Sequence, residues 1–211
     1  MADLNIRNMA FSLKVLTEAR NFLTRFEAAQ MYYKQCFDNQ VKSSRKCRSA
    51  VKNARLYISH FIQVLNLSII RLEIKQEHKS LYGLPLSNYN VPDLISDSAV
   101  LEWGERIITG EKDRLKKGGI PIYNPTIAKV SVHFDIFKET HQRQKDYQRI
   151  TERSLKSLAS MRAEADAIIL DIWNQVEAFY DNLPAEDKMK KAIDYGIIYY
   201  YRANEKAKIS V

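Results

Sequence analysis

Four histidines, two cysteines and twenty-five carboxylates are the side chains of this 211-residue sequence with the chemistry to hold a metal or move protons. A carboxylate-bridged di-metal centre in a helical protein uses inward glutamates and Glu-x-x-His pairs, which lie one turn apart on a single helix face. No glutamate here stands three places before a histidine: Glu77 adjoins His78, and Glu139 lies two before His141. Cys36 and Cys47 form no spaced ligand set with His60, His78, His133 and His141. Cys47 falls on an apolar helix face and reads as a small buried hydrophobe, as does Cys36, without a disulfide between them. Ser59-His60 and His133 with Asp135 are the neighbours that suggest nucleophilic or acid–base work, but such groups are built in space rather than by spacing, and both pairs read as structural. Lys117-Gly118-Gly119 precedes Ile120-Pro121 and follows a helical pattern, so it reads as a helix cap and not as the strand–loop–helix cradle of a phosphate site. The residues therefore predict no catalytic set, no metal and no cofactor.

Charge makes a stronger pattern. Between Asp38 and Glu73 there is no acidic residue, while Lys42, Arg45, Lys46, Arg48, Lys52, Arg55 and Arg71 are all cationic. The first six fall on the arc of a helix opposite its apolar stripe, and the whole chain carries a net charge of +8. Such a face could track a phosphate backbone. Cationic runs on long helices also serve as solvated faces paired with acids on neighbouring helices. Lys42, Arg45, Lys46, Arg48, Lys52 and Arg55 are thus the candidate polyanion-binding residues.

The elements that position these side chains are helices. Six Gly and five Pro leave few sites for tight turns, which favours a few long elements. A first helix is expected over residues 12–37, with Leu16, Ala19, Leu23, Phe26 and Tyr33 at helical spacing, interrupted at Asp38-Asn39. A second is expected over 40–80, where Cys47, Val51, Ala54, Ile58, Phe61, Leu65, Ile69 and Leu72 share one narrow stripe. Leu81-Tyr82-Gly83-Leu84-Pro85 ends it, with Gly83 as a left-handed cap. Residues 86–96 read as a loop. A third helix, 97–117, uses Leu101, Trp103, Ile108 and Leu115. Asn124-Pro125-Thr126 reads as an N-cap with proline at the first helical position, opening a fourth helix toward Lys145. Residues 129–136 also alternate in a strand-like way, but the capping chemistry favours helix. A fifth helix, 149–182, carries Leu155, Leu158, Ala165, Ile169, Ile172, Trp173, Val176 and Tyr180, and a short acidic-led helix follows Pro184. Pairing Phe26 with Phe134, Asp38 with Asp146 and Arg45 with Arg153 suggests a duplicated helical hairpin, with halves 12–85 and 97–183 and a C-terminal extension 184–211.

Residues 42–55, the ending Leu81-Tyr82-Gly83-Leu84-Pro85, and Tyr195-Gly196-Ile197-Ile198-Tyr199 with Arg202 resemble uncharacterised bacterial proteins built of two helical-bundle halves. That resemblance implies no activity and no site residues. It does imply a short strand after the bundle, over 196–202, where consecutive Ile and Tyr also have strand propensity. Tyr199, Tyr200 and Tyr201 cannot all face one side of either a helix or a strand, which makes them candidate interface residues.

The expected fold class is all-α, an up-down bundle of long amphipathic helices forming a single domain, with 196–202 open to two readings, the end of a helix or a short strand. No apolar leader core opens the chain. The least charged stretch, 56–70, is shorter than the ~20 residues of a membrane span. The expected compartment is the cytoplasm. The expected role is a non-enzymatic, self-associating bundle whose partner is itself or another protein, the alternative being a nucleic-acid- or polyanion-binding module.

Overall fold

The computed structural model describes residues 9–199. Helix accounts for 76% of the described residues, and no strand occurs among them beyond an isolated bridge between Tyr123 and Thr126. The all-α reading holds. The helices are α1 (Leu13–Ile70), α2 (Asp97–Lys116), α3 (Ile127–Ser160), α4 (Arg162–Phe179) and α5 (Ala185–Ile193), with a 3₁₀ helix at Gln76–Tyr82 between α1 and α2. None of these is long and apolar enough to cross a membrane.

The described chain divides into two units. Residues 35–152 make one; residues 9–34 together with 153–199 make the other, so α1 and α3 each contribute to both. These units cut across the sequence halves 12–85 and 97–183.

In α1 two expected boundaries move. Asp38-Asn39 does not interrupt the helix, which continues for 58 residues, about 87 Å at 1.5 Å per residue. An interior Asp or Asn costs only a few tenths of a kcal/mol of propensity, and Lys34, Gln35, Gln40 and Lys42 close by are good helix formers. The helix then stops at Ile70 rather than near Ser80, because Leu72 turns left-handed at φ 64°. The carbonyl of Ser68 receives the amides of Glu73 and Ile74, which closes the turn. Leu72, expected on the buried stripe, is consequently 90% exposed. Gly83 does adopt the left-handed cap, at φ 69°, after the 3₁₀ helix.

The unit 35–152 contains the main core. Cys47, Val51, Ala54, Ile58, Phe61, Leu65 and Ile69 are buried as the stripe predicts, joined by Ile62 and packed with Tyr82, Val100, Ile107, Val130, Phe134 and Phe137. Residues 129–136 are helical within α3, and the strand-like alternation fails because Val132 and Ile136 are exposed. Thr126, not Asn124, caps α3: its Oγ1 accepts from the Lys129 amide at 3.3 Å. The expected break between residues 145 and 149 is absent as well. α3 runs to Ser160 and yields to α4 at Met161.

The loop after the 3₁₀ helix is held through its backbone carbonyls. Asn66 Nδ2 donates to Tyr89 at 2.9 Å and Lys79 Nζ to Asn88 at 2.6 Å. Arg55 donates to Leu94 at 2.6 Å and to Ile95 at 2.8 Å. Lys79 is fully buried beneath this loop, 3.9 Å from the centre of the Tyr89 ring, and burial pushes its ammonium pKa down.

Two glycines let α2 approach its neighbours. A Cβ on Gly104 would stand 2.2 Å from the Phe134 ring, and one on Gly110 would stand 2.7 Å from the backbone oxygen of Leu81. Because backbone cannot swing aside, Gly110→Ala is expected to destabilise the chain by about 1–3 kcal/mol. Thr109→Ala, on the exposed side of α2, should stay within about half a kcal/mol. Urea unfolding of both variants checks the pair; equal midpoints would contradict the close approach.

The second unit has a slighter core: Ala10, Val176, Ala192 and Ile197 form a cluster with Phe11, Ile172, Tyr180 and Tyr195 packed against it, and Val15, Phe22 and Ile168 are buried as well. Phe11 meets Tyr195 edge to face with ring centres 5.9 Å apart. The Ser12 amide donates to Gln175 Oε1 at 2.8 Å, and Arg25 pairs with Glu164.

The expected strand over 196–202 is not found in its described part. Gly196, at φ 78°, turns the chain after α5, and the Ile197 amide bonds back to the Ala192 carbonyl at 3.2 Å. A left-handed glycine bonded back to the helix is a cap and cannot start a ladder. Residues 200–202 lie outside the described residues.

Candidate functional site

The cationic run forms an exposed face of α1, but its members divide by environment. Lys42, Arg45, Lys46, Arg48 and Lys52 are exposed. Arg55 is not part of a free face, since its guanidinium is committed to the carbonyls of Leu94 and Ile95. Lys42 and Lys46 converge with Arg143 of α3 on a cleft of about 200 Å³ whose wall includes Thr140 and Tyr147. Arg143 also donates to Glu139, one turn away on its own helix. Sequence reasoning missed Arg143, because it lies on another helix and carries no local pattern of its own.

Tyr199 is 36% exposed, and its hydroxyl donates to Glu177 of α4 at 3.0 Å. Burial, and then that carboxylate, push its phenol pKa up, so it remains a donor. Tyr200 and Tyr201 lie outside the described residues. Beside this contact the outer face of α4 mixes exposed apolar side chains with Asp166 and Glu177. Ile169, Leu170 and Trp173 are 42%, 57% and 40% exposed, and Ile198 is 63% exposed. At 100° per residue, positions 169, 170, 173 and 177 lie on one arc of the helix, so Tyr199 is tethered at the edge of this patch. Ile169 and Trp173, expected in the core, are exposed; Val176, expected there too, is buried, together with Ile168.

Unit 35–152 also brings together residues that the sequence keeps far apart. Cys47 of α1, Asp97 at the start of α2 and His141 of α3 place a sulfur, a carboxylate oxygen and an imidazole nitrogen within 4.8 Å of one another. Reasoning from spacing found no ligand set around the cysteines, because the three residues meet only through tertiary packing. Burial, with the Asp97 charge adding to it, pushes the Cys47 thiol pKa up, which is opposite to what a free nucleophilic cysteine requires. Cys36 is likewise buried and free of any disulfide. Of the neighbouring pairs considered for catalysis, Ser59 donates to the Leu56 carbonyl at 3.0 Å, and His133 stacks on Tyr57 with ring centres 4.1 Å apart.

A third polar group is fully internal. Tyr82, Glu111 and Arg114 are buried together: Tyr82 donates to Glu111, and Arg114 donates to both Glu111 oxygens at 2.9 and 2.8 Å. Arg114 also donates to the Ile120 carbonyl at 2.7 Å. Burial, then the Glu111 carboxylate, hold the Tyr82 phenol far above its ordinary range. Burial opposes the Arg114 charge, yet the bonds to Glu111 and Tyr82 outweigh it and hold its pKa up. With the Tyr82 hydroxyl, both Glu111 oxygens and the Arg114 Nε and Nη2 engaged internally, this triad reads as a clamp between the 3₁₀ helix and α2.

No family model, no curated protein and no solved structure matches this chain.

Proposed function

We propose that this protein is a non-enzymatic interaction bundle that associates with a second copy of itself through the outer face of α4. The observation that carries this reading is the imbalance within the unit containing α4. Among the described residues this unit buries seven apolar side chains, Ala10, Val15, Phe22, Ile168, Val176, Ala192 and Ile197, while the large Ile169, Leu170, Trp173 and Ile198 stay in water. Large exposed apolar patches mark interaction surfaces, and aromatic residues beside aliphatic ones make effective anchors. The same helix carries Glu164, Asp166, Asp171 and Glu177 against a single base, Arg162, so α4 offers a polyanion little cationic surface.

Leu170→Glu combined with Trp173→Glu places two charges in the patch without touching the buried Ile168 and Val176. Light scattering should show the variant at lower mass than the parent at equal concentration, with an unchanged helical circular dichroism spectrum. A parent and variant of equal mass would overturn the assignment.

A second reading rests on the convergence of Lys42, Lys46 and Arg143 at one cleft. Under it the protein binds a nucleic acid or other polyanion there. Affinity for an oligonucleotide would then fall steeply with salt, because neutralising phosphates releases counterions. Association through α4 would persist.

A further inference from the structure

We propose that Cys47, Asp97 and His141 bind one divalent transition-metal ion of the zinc class, joining α1, α2 and α3 within the unit 35–152. The site is independent of the α4 face.

Three different donors, a thiol sulfur, a carboxylate oxygen and an imidazole nitrogen, lie within 4.8 Å of one another. A tetrahedral zinc ion with Zn–N and Zn–O near 2.1 Å and Zn–S near 2.3 Å sets the ligand atoms about 3.4–3.6 Å apart. His141 Nδ1 and Asp97 Oδ2 already stand at 3.6 Å. That gap is too long for a hydrogen bond, which would close to about 2.7–3.2 Å in a simple His–Asp pair. Independently, His141 Nδ1 is a buried nitrogen with no hydrogen-bond partner. Leaving such an atom unsatisfied is unfavourable, and a cation between it and Asp97 would satisfy both.

The remaining adjustment is small. Cys47 is buried and His141 lies 5.5 Å from the centre of the Phe137 ring, while the Asp97 side chain is 45% exposed. Binding would release the thiol proton to solvent and exchange three of the ion's waters for the protein donors. His141 also borders an open cleft of about 730 Å³, with Leu101 and Glu105 on its wall. Water from that cleft supplies the fourth ligand. A sulfur and imidazole donor pair selects zinc, cobalt or nickel over magnesium and calcium, which take oxygen ligands.

Cobalt(II) is the probe. Titrating it into the reduced full-length chain should give a sulfur-to-cobalt charge-transfer band in the near ultraviolet and tetrahedral d–d absorption, saturating at one ion per chain and displaced by zinc. Cys47→Ser should abolish the charge-transfer band, and Cys36→Ser should leave it intact. Asp97→Asn and His141→Gln should weaken binding at least 10- to 100-fold, the loss typical of disturbing even the groups behind metal ligands. Circular dichroism on Asp97→Asn, the least buried of the three, separates loss of the site from loss of the fold. Absence of the band in the parent chain would overturn the proposal. So would a band that survives Asp97→Asn and His141→Gln with unchanged affinity, or one that disappears with Cys36 rather than Cys47.

Discussion

Glu111→Ala is expected to destabilise the chain by about 3–5 kcal/mol, among the largest effects any single substitution here should produce. Glu111 is 1% exposed, and its removal leaves Arg114, also 1% exposed, as a buried cation whose Nε still donates to Tyr82 while the Tyr82 hydroxyl proton loses its acceptor. The loss comes from that uncompensated charge more than from the net worth of the pair. The combined variant Tyr82→Phe, Glu111→Leu and Arg114→Met removes every charged or hydroxyl partner at similar volume. It should recover much of the stability lost in Glu111→Ala, although the Ile120 carbonyl forfeits its donor. Urea unfolding of the single and combined variants checks this. A Glu111→Ala midpoint close to the parent's would mean that the triad is not closed to water.

Phe61→Ala should cost a similar amount, about 3–5 kcal/mol, for a different reason. Phe61 is fully buried in the middle of the α1 stripe, between the turns of Ile58 and Leu65, so truncation leaves a cavity that both helical neighbours are too constrained to fill. Lys52→Ala, on the exposed face of the same helix, should change stability by only about half a kcal/mol. Comparable losses in the two variants, measured by the same unfolding transition, would mean that the phase of α1 is wrong.

These two predictions mark where the fold could and could not be read from residue order. In the second half of α1 the apolar residues recur every three or four places with charge between them, so the stripe from Cys47 to Ile69 was legible. In α2 the pattern misleads by one position. Leu101, Ile108 and Leu115 look like its core, yet Val100, Gly104, Ile107, Glu111 and Arg114 are the buried ones. Two glycines and an ion pair on the inward face hide the true phase, because apolar periodicity scores neither close backbone approach nor a satisfied internal charge. The first turns of α1 mislead in the same way: Phe22 is buried, while Leu23 is 52% exposed. Boundaries failed where a residue with turn propensity sits among good helix formers, as at Asp38. They also failed where a leucine adopts a left-handed conformation that its type does not announce, as at Leu72.

The candidate sites follow the same logic. The cationic face of α1 is a local pattern and was visible, but the commitment of Arg55 to the loop carbonyls and the approach of Arg143 are tertiary facts. The convergence of Cys47, Asp97 and His141 is tertiary too, drawn from three separate helices. Tyr199 was singled out because three consecutive tyrosines cannot share one face. Ile169 and Trp173, on the helix that carries its partner Glu177, read as core in the sequence because apolar spacing on α4 does not distinguish a packed face from an exposed one.

The central claim, association of copies through the apolar face of α4, is tested most directly by light scattering of the unaltered chain over a wide concentration range at about 0.05 M and about 0.5 M salt. Apolar contact is little screened, whereas contacts between surface charges weaken as the Debye length shrinks from about 14 Å to about 4 Å. The account predicts a mass that rises with concentration well above the 24.6 kDa of one chain, to the same extent at both salt levels. A mass of 24.6 kDa throughout would contradict it.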